Sequence, residues 1–321
     1  MLSTQHVAAA DFDGHRFTVS ADDGVPLAGR EFGHRNAPLT VVFVHGHCLR
    51  ADSWRYLRSY LSNAWGAEVR MVFYDHRGHG ASGEAPVETY TIDQLGHDLD
   101  AVIRAVVPAG PIILVGHSMG AMTALVYARQ NPEAIGTRIA GIGLIASAAN
   151  GLADDGMGRW LRRPAMSMLC RAVERAPGFM HMSKRLSSKV CEAIVRNTMF
   201  GGGKVSPKMV AVAAAMLNDT SVVTMTSFVD SFIGFDESET LPMLENIPSL
   251  VLGGSDDLMT PFTHSVAMAA RLPGSELVCL DGAGHSVLLE RAPDVAHAIA
   301  GLVQRVRELA MPKAAIELAA G

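Results

Sequence analysis

A serine hydroxyl becomes a nucleophile when a histidine can take its proton and a carboxylate can hold that histidine in one tautomer. This chain carries all three side-chain types at points where a fold could gather them. Ser118 sits in Gly116-His117-Ser118-Met119-Gly120, with a glycine two positions away on each side. Acids stand together in Ser255-Asp256-Asp257-Leu258-Met259-Thr260-Pro261, and a base stands in Asp281-Gly282-Ala283-Gly284-His285-Ser286. The chemistry open to such a set is attack of Ser118 on a carbonyl carbon. His285 would remove the hydroxyl proton and return it to the leaving group. Asp256 or Asp257 would fix the imidazole tautomer and stabilise its cation. The backbone N–H of Met119, next after the nucleophile, is placed to hold the negative oxygen of the tetrahedral intermediate.

Such a set works only if rigid elements position it. Pro111-Ile112-Ile113-Leu114-Val115 reads as a buried strand leading into Ser118, and Ala121 through Gln130 leads out as a helix. A serine in that strand–turn–helix context matches the nucleophile-elbow pattern. A glycine-flanked serine in an ordinary βα loop is the plainer alternative, and the Asp and His that follow in order weigh against it. Ser249–Gly254 and Glu276–Leu280 read as further strands, so the acid and the base each lie just past a strand's C-terminal end. In open α/β sheets that edge is where sites are built.

Elsewhere the pattern predicts an opening hairpin, Arg16–Ser20 and Leu27–Phe32, turning through Asp22-Asp23-Gly24. Strands follow at about 40–44, 69–74, 111–115 and 139–146, with helices at about 52–64, 91–106 and 119–130. After an interruption come strand 249–253, helix 262–271, strand 276–280 and helix 292–309, then a ragged tail over Met311–Gly321. Strands and helices in alternation, with near-continuous apolar strands, imply a mostly parallel sheet covered on both faces.

The chain resembles the α/β-hydrolase family over most of its length. Val41-Val42-Phe43-Val44-His45-Gly46-His47 looks like that family's strand and oxyanion loop, and Tyr74-Asp75-His76-Arg77-Gly78-His79-Gly80-Ala81-Ser82 like its loop after the next strand. Gly254-x-x-Asp257-x-x-x-Pro261 and Gly284-His285 look like its acid and base segments, with Ser118 in the elbow between. The resemblance implies an α/β fold: a mostly parallel eight-stranded sheet with helices on both faces and an inserted helical cap. The core domain would be 1–148 with 245–321, and the cap 149–244. It also implies Ser118, His285 and Asp257 as catalytic residues, the proline four residues on favouring Asp257 over Asp256. The second oxyanion donor would be the backbone N–H of His47, whose ionisable side chain could also touch substrate. His45 and His117 read as hydrogen-bonded scaffold, and Asp75, Arg77 and Ser82 as braces of the loop near the oxyanion side.

Composition agrees. A chain of 321 residues with 49% apolar and 18% charged content can bury one large core and carry an insertion. The N-terminus has no basic start and no apolar run of the signal-peptide kind, and no stretch approaches the roughly 20 apolar residues that span a bilayer. Cys48, Cys170, Cys191 and Cys279 are scattered without ligand spacing and read as reduced thiols of a cytoplasmic protein. A net charge of −5 argues against a nucleic-acid partner. His76, His79 and His97 offer no defensible metal geometry. Gly201-Gly202-Gly203-Lys204 lacks the spacing and the following Ser or Thr of a phosphate loop, and reads as a flexible connector. Neither a metal nor an organic cofactor is expected.

The interval 149–244 reads as helical throughout. Ala165, Met168, Leu169, Ala172 and Val173 share one helical face, and Leu186, Val190 and Ile194 another. Ser206-Pro207 opens a third helix, and Val222–Phe235 supplies a fourth. Ten of the chain's seventeen methionines lie here, among them Met157, Met166, Met180, Met182, Met199, Met216 and Met225, with Trp160, Phe228, Phe232 and Phe235. Thioethers suit varied apolar ligands, although core packing explains a single methionine as well. From Arg159 to Lys208 eleven Lys and Arg face only Glu174 and Glu192. A solvated helix face is the ordinary explanation, and an anionic surface, a carrier protein or a CoA-type ligand the functional one.

Serine rather than aspartate after His117, and an insertion without tyrosine, disfavour epoxide or haloalkane opening. The leading expectation is hydrolysis of a carboxylic ester or lactone with a hydrophobic acyl portion. Thioester hydrolysis or acyl transfer from acyl-CoA or an acyl carrier comes second. Nonhydrolytic lyase or cyclase chemistry, or ligand binding without turnover, would use the same scaffold.

Overall fold

Neighbouring strand residues point to opposite faces, and in the central strands of this sheet both faces are buried. A computed structural model describes residues 14–175, 188–203 and 205–320. Strands β1 (His15–Ser20), β2 (Pro26–Phe32), β3 (Leu39–Val44), β4 (Val69–Tyr74), β5 (Ile112–His117), β6 (Ile139–Ile145), β7 (Ser249–Gly254) and β8 (Glu276–Leu280) form one sheet. Its order is β1-β2-β4-β3-β5-β6-β7-β8. β1 and β2 pair antiparallel, as do β2 and β4, and every other pair is parallel.

Val41 and Phe43 of β3 face one side, packing with Leu57 and Leu61 of the helix Arg55–Trp65 and with Ile299 and Leu302 near the C-terminus. Val42 and Val44 face the other, against Leu99 and Val102 of Ile92–Val106 and Ala124 and Leu125 of Met119–Gln130. A one-residue slip of β3 would exchange these two faces, keeping apolar burial but losing the fitted packing of Phe43 and its neighbours on one side. The register of the central strands is thereby set, and their C-terminal ends come to one edge.

Two features differ from the sequence reading at the ends of elements. The C-terminal helix runs Ala292–Ala320, through Pro312, where a ragged tail was expected. Lys, Ala, Leu and Glu after Pro312 are strong helix formers, and they extend the helix past the hydrogen bond and ring clash that proline costs, about 3 kcal/mol. The expected helix Val222–Phe235 is two, Val222–Ser227 and Val229–Ile233. The hydroxyls of Thr226 and Ser227 donate back to the carbonyls of Val222 (3.0 Å) and Val223 (2.8 Å), a competition that bends helices.

The helices Pro164–Arg175, Ser188–Met199 and Pro207–Asp219 complete the insertion between β6 and β7. Phe228, Phe232 and Phe235 anchor it, packing with Met119, Met122 and Val126 of the helix after Ser118. Met180, Met182, Leu186 and Lys204, and the first thirteen residues, lie outside the described residues. The residues read as one face of Pro164–Arg175 do not bury together: Ala165, Met168, Leu169 and Ala172 are exposed, and only Val173 is buried. Met166, Cys170 and Val173 turn inward instead. The three glycines read as a flexible connector are held. Gly201 N–H donates to Glu290 (2.9 Å), and Gly202 N–H donates to Asp256 (3.1 Å). Among the described residues no disulfide joins the cysteines, and no single helix is long and apolar enough to cross a membrane.

Candidate functional site

β5 ends at His117, and the helix Met119–Gln130 begins one residue after Ser118. The turn between them gives Ser118 a φ of 52°, a region that costs a residue with a side chain about 1–3 kcal/mol. The surroundings enforce it. Ser118 N–H donates to the Ile145 carbonyl (2.8 Å), and the Ser118 carbonyl accepts from Ser147 Oγ (2.9 Å). A β-carbon at Gly120 would overlap the Val44 carbonyl, so only glycine lets the helix sit this close to β3.

His285 lies after β8 and Asp257 after β7. The structure brings them to Ser118 in a single line: His285 Nε2 is 3.0 Å from Ser118 Oγ, and His285 Nδ1 is 2.8 Å from Asp257 Oδ2. His285 and Asp257 are both buried, whereas Ser118 is partly open. Asp256 faces away, exposed and bonded to the Gly202 N–H and to Ser255. Asp257 is satisfied on both oxygens, Oδ1 accepting the N–H groups of Met259 (2.8 Å) and Thr260 (2.9 Å) and Oδ2 the Thr260 hydroxyl (2.8 Å). Burial opposes ionisation of this carboxyl, but the charge interaction with His285 and the hydrogen bonds outweigh it and hold its pKa below the ordinary carboxylate value. A carboxylate so held keeps a proton on His285 Nδ1 and leaves Nε2 free to accept from Ser118.

Met119 stands at the first helical position, where a backbone N–H has no acceptor within the helix and the helix dipole favours negative charge. His47 is on the facing loop. That loop approaches closely because residue 46 is glycine: a β-carbon there would lie 2.7 Å from His117 Nδ1 and 3.1 Å from Ser118 Cβ. The next residue, Cys48, has a φ of 57° and donates its N–H to His79 Nε2 (3.1 Å). The His47 ring donates from Nε2 to the Met225 carbonyl (3.1 Å) and meets Phe228 and Phe232 edge-on.

Four buried histidines hold these loops. His45 Nδ1 donates to the Gly46 carbonyl (2.8 Å) and its Nε2 accepts from the His76 N–H (3.0 Å). His76 Nε2 donates to the His45 carbonyl (3.0 Å) and His79 Nδ1 to that of Arg77 (2.9 Å). His117 Nε2 donates to the carbonyl of His285 itself (2.9 Å). Burial pushes the pKa down to about 4 for His45 and about 3 for His79 and His117, and well down for His76. All four are therefore neutral donors and acceptors, committed to backbone.

Asp75 accepts the N–H groups of Ala51 (2.7 Å) and Ala81 (2.9 Å), and Ser82 Oγ donates to its carbonyl (2.6 Å). Arg77 grips Asp98 with two bonds of 2.7 and 2.6 Å. Sequence reasoning passed over Thr260, Asp98, Glu290 and the Met225 carbonyl. Thr260 had a local signal, an Asp three residues earlier whose carboxylate can take its N–H in a turn. The other partners are distant in sequence and gave none.

A model of the alpha/beta hydrolase family matches residues 41–298. The chain is 24% identical over 287 residues to a bifunctional esterase/perhydrolase of Acinetobacter calcoaceticus, covering 84% of this chain and 92% of that protein. With 3-oxoadipate enol-lactonase 2 of Acinetobacter baylyi it shares 23% over 294 residues, 90% and 96% of the two chains. The solved structure of a thermophilic esterase from Thermogutta terrifontis, 25% identical, covers 91% of this chain and 99% of its own, with a TM-score of 0.71.

Proposed function

The chain belongs to the alpha/beta hydrolase family, and from that premise we propose that it hydrolyses carboxylic esters or lactones with a hydrophobic acyl portion through an acyl-enzyme on Ser118. The observation that carries this reading is the hydrogen-bonded line from Ser118 Oγ to His285 to Asp257. The esterase and lactonase names of its relatives support the same bond class.

Ser118 Oγ bonds to the carbonyl carbon as its proton passes to His285 Nε2, and the carbonyl oxygen takes the negative charge. The N–H groups of Met119 and His47 hold that charge; removal of one such donor commonly costs about a hundred- to a thousandfold in rate. Collapse breaks the carbon–oxygen bond to the alcohol, which leaves with the proton from His285. Water then attacks the acyl-enzyme with His285 as base, releasing the acid and restoring Ser118. Asp257 stays ionised throughout and stabilises the imidazolium.

In this reading residues 149–244 are a cap over the core formed by 1–148 and 245–321. Phe228, Phe232 and the Met225 carbonyl reach His47 from the cap. Cysteines without a disulfide suit the cytoplasm, where we place the chain. No step calls for a metal or organic cofactor.

The test compares wild type with Ser118→Ala on p-nitrophenyl esters from acetate to palmitate, with matched acyl-CoAs alongside. Serine-dependent ester turnover with a chain-length optimum is expected. Preference for acyl-CoA would replace the reading with a thioesterase, and turnover retained in Ser118→Ala would overturn the acyl-enzyme.

A further inference from the structure

A surface helix normally has one apolar face, and that face is buried. The helix Pro164–Arg175 has two. Met166, Cys170 and Val173 turn toward the protein, while Ala165, Met168, Leu169 and Ala172, spaced at three and four residues, form a second strip facing out. Met168 is 67% exposed and Leu169 38%. Trp160, four residues before the helix begins, is 58% exposed, with the Arg163 guanidinium 4.6 Å above its ring.

The charges around this strip are basic. Arg159 and Arg162 are balanced by Asp155 (3.7 Å) and Asp154 (3.1 Å). Arg163, Arg171 and Arg175 are exposed and form no ion pair with a described carboxylate. Arg171 and Arg175 stand one turn apart along one border of the strip, and Arg163 lies at its N-terminal end. The protein as a whole carries −5, so this is a local patch of opposite sign that would orient the molecule rather than make all of it adhesive.

We propose that this outer face of the cap docks on an anionic lipid surface, the apolar strip and Trp160 entering the interface and Arg163, Arg171 and Arg175 meeting lipid headgroups. Exposed Trp, Met and Leu beside arginines on an amphipathic helix are the chemistry of interfacial attachment, and the arginine stems lie along the apolar surface while their heads reach phosphate. The attachment is to the surface, since the docking helix Pro164–Arg175 has 12 residues and a bilayer span needs about 20. The docked helix packs on Val222–Ser227, whose Met225 carbonyl holds His47, so the face in contact with lipid is one helix removed from the oxyanion loop. This deepens the hydrolase reading by setting its apolar substrate at a lipid interface, and it is tested by binding alone, so the two readings fail separately.

Trp54 and Trp65 are buried, which leaves Trp160 as the reporter. Its emission is followed as full-length protein is titrated with phosphatidylcholine vesicles, with or without one third phosphatidylglycerol. A saturable blue shift with the anionic vesicles is expected, lost in Trp160→Phe. Arg163→Glu/Arg171→Glu/Arg175→Glu should bind ~100-fold more weakly or worse. Met168→Ser/Leu169→Ser should bind at least ~tenfold more weakly, each variant keeping the wild-type near-ultraviolet dichroism. No shift with anionic vesicles, equal affinity for neutral ones, or undiminished binding by the charge-reversed variant overturns the proposal. So does a shift produced by free CoA but not by vesicles, or one that tracks dimerisation without lipid.

Discussion

The His47 imidazole donates to the carbonyl oxygen of Met225 at 3.1 Å, tying the loop beside Ser118 to the inserted helices across 178 positions of sequence. The backbone of His47 is a proposed oxyanion donor, while its side chain is fastened to the helix Val222–Ser227. Any displacement of the helix Val222–Ser227 therefore pulls on the oxyanion loop. His47→Ala keeps the backbone N–H and loses the tether, so kcat/KM should fall about three- to tenfold, the value of one hydrogen bond. Steady-state kinetics on a p-nitrophenyl ester decides it, and unchanged constants would show that the loop holds its shape without the cap.

Thr260 is the second partner of Asp257 Oδ2, its hydroxyl 2.8 Å away and also 3.3 Å from His285 Nδ1. Thr260→Val preserves shape and removes the donor. A charge-assisted bond of this kind contributes about 1.5–3 kcal/mol, so kcat should drop at least ~tenfold with KM little changed.

The adjacent carboxylates separate cleanly. Asp257→Asn should lower kcat by about a thousandfold or more, because the amide can hold the wrong imidazole tautomer. Asp256→Asn, at an exposed carboxylate bonded to Gly202, should change kcat less than about threefold. Equal losses in both would reassign the acid.

Glu290 fastens the insertion to the loop that carries His285, accepting from Gly201 N–H at 2.9 Å and from Gly284 N–H at 3.0 Å. Glu290→Ala leaves two backbone donors without an acceptor, a loss of about 1–3 kcal/mol. Urea unfolding measures it, and an unshifted midpoint would mean that the connector is held by packing alone.

Acid should unfold this protein early. Histidines in an unfolded chain protonate near pH 6.5, whereas folded His45 does so only near 4 and His79 and His117 near 3. Between these values the unfolded state binds more protons, so stability declines as pH falls below about 6.5, by ~1.4 kcal/mol per pH unit for each fully differing histidine. Urea midpoints at pH 7 and pH 5 should differ clearly. His79→Gln, which can still accept from the Cys48 N–H, should flatten the difference.

The strands were legible from sequence because a strand buried on both faces must be apolar at nearly every position, as in Ile112–Val115 and Ser249–Leu252. The turns at Ser118, Asp257 and His285 were legible because tight approach demands glycine and because all three follow strands of one parallel sheet. Local composition and chain order carry that information. The spacing to Pro261 already favoured Asp257 over Asp256, but how His47 is fastened and what Glu290 and Asp98 hold depend on partners distant in sequence. The helix Pro164–Arg175 shows the limit most plainly. Its periodicity marked one apolar face, Ala165, Met168, Leu169, Ala172 and Val173, but packing against Val222–Ser227 turned Met166 and Val173 in and left Met168 and Leu169 facing out, since a helical pattern states which residues share a side and not which side finds a neighbour.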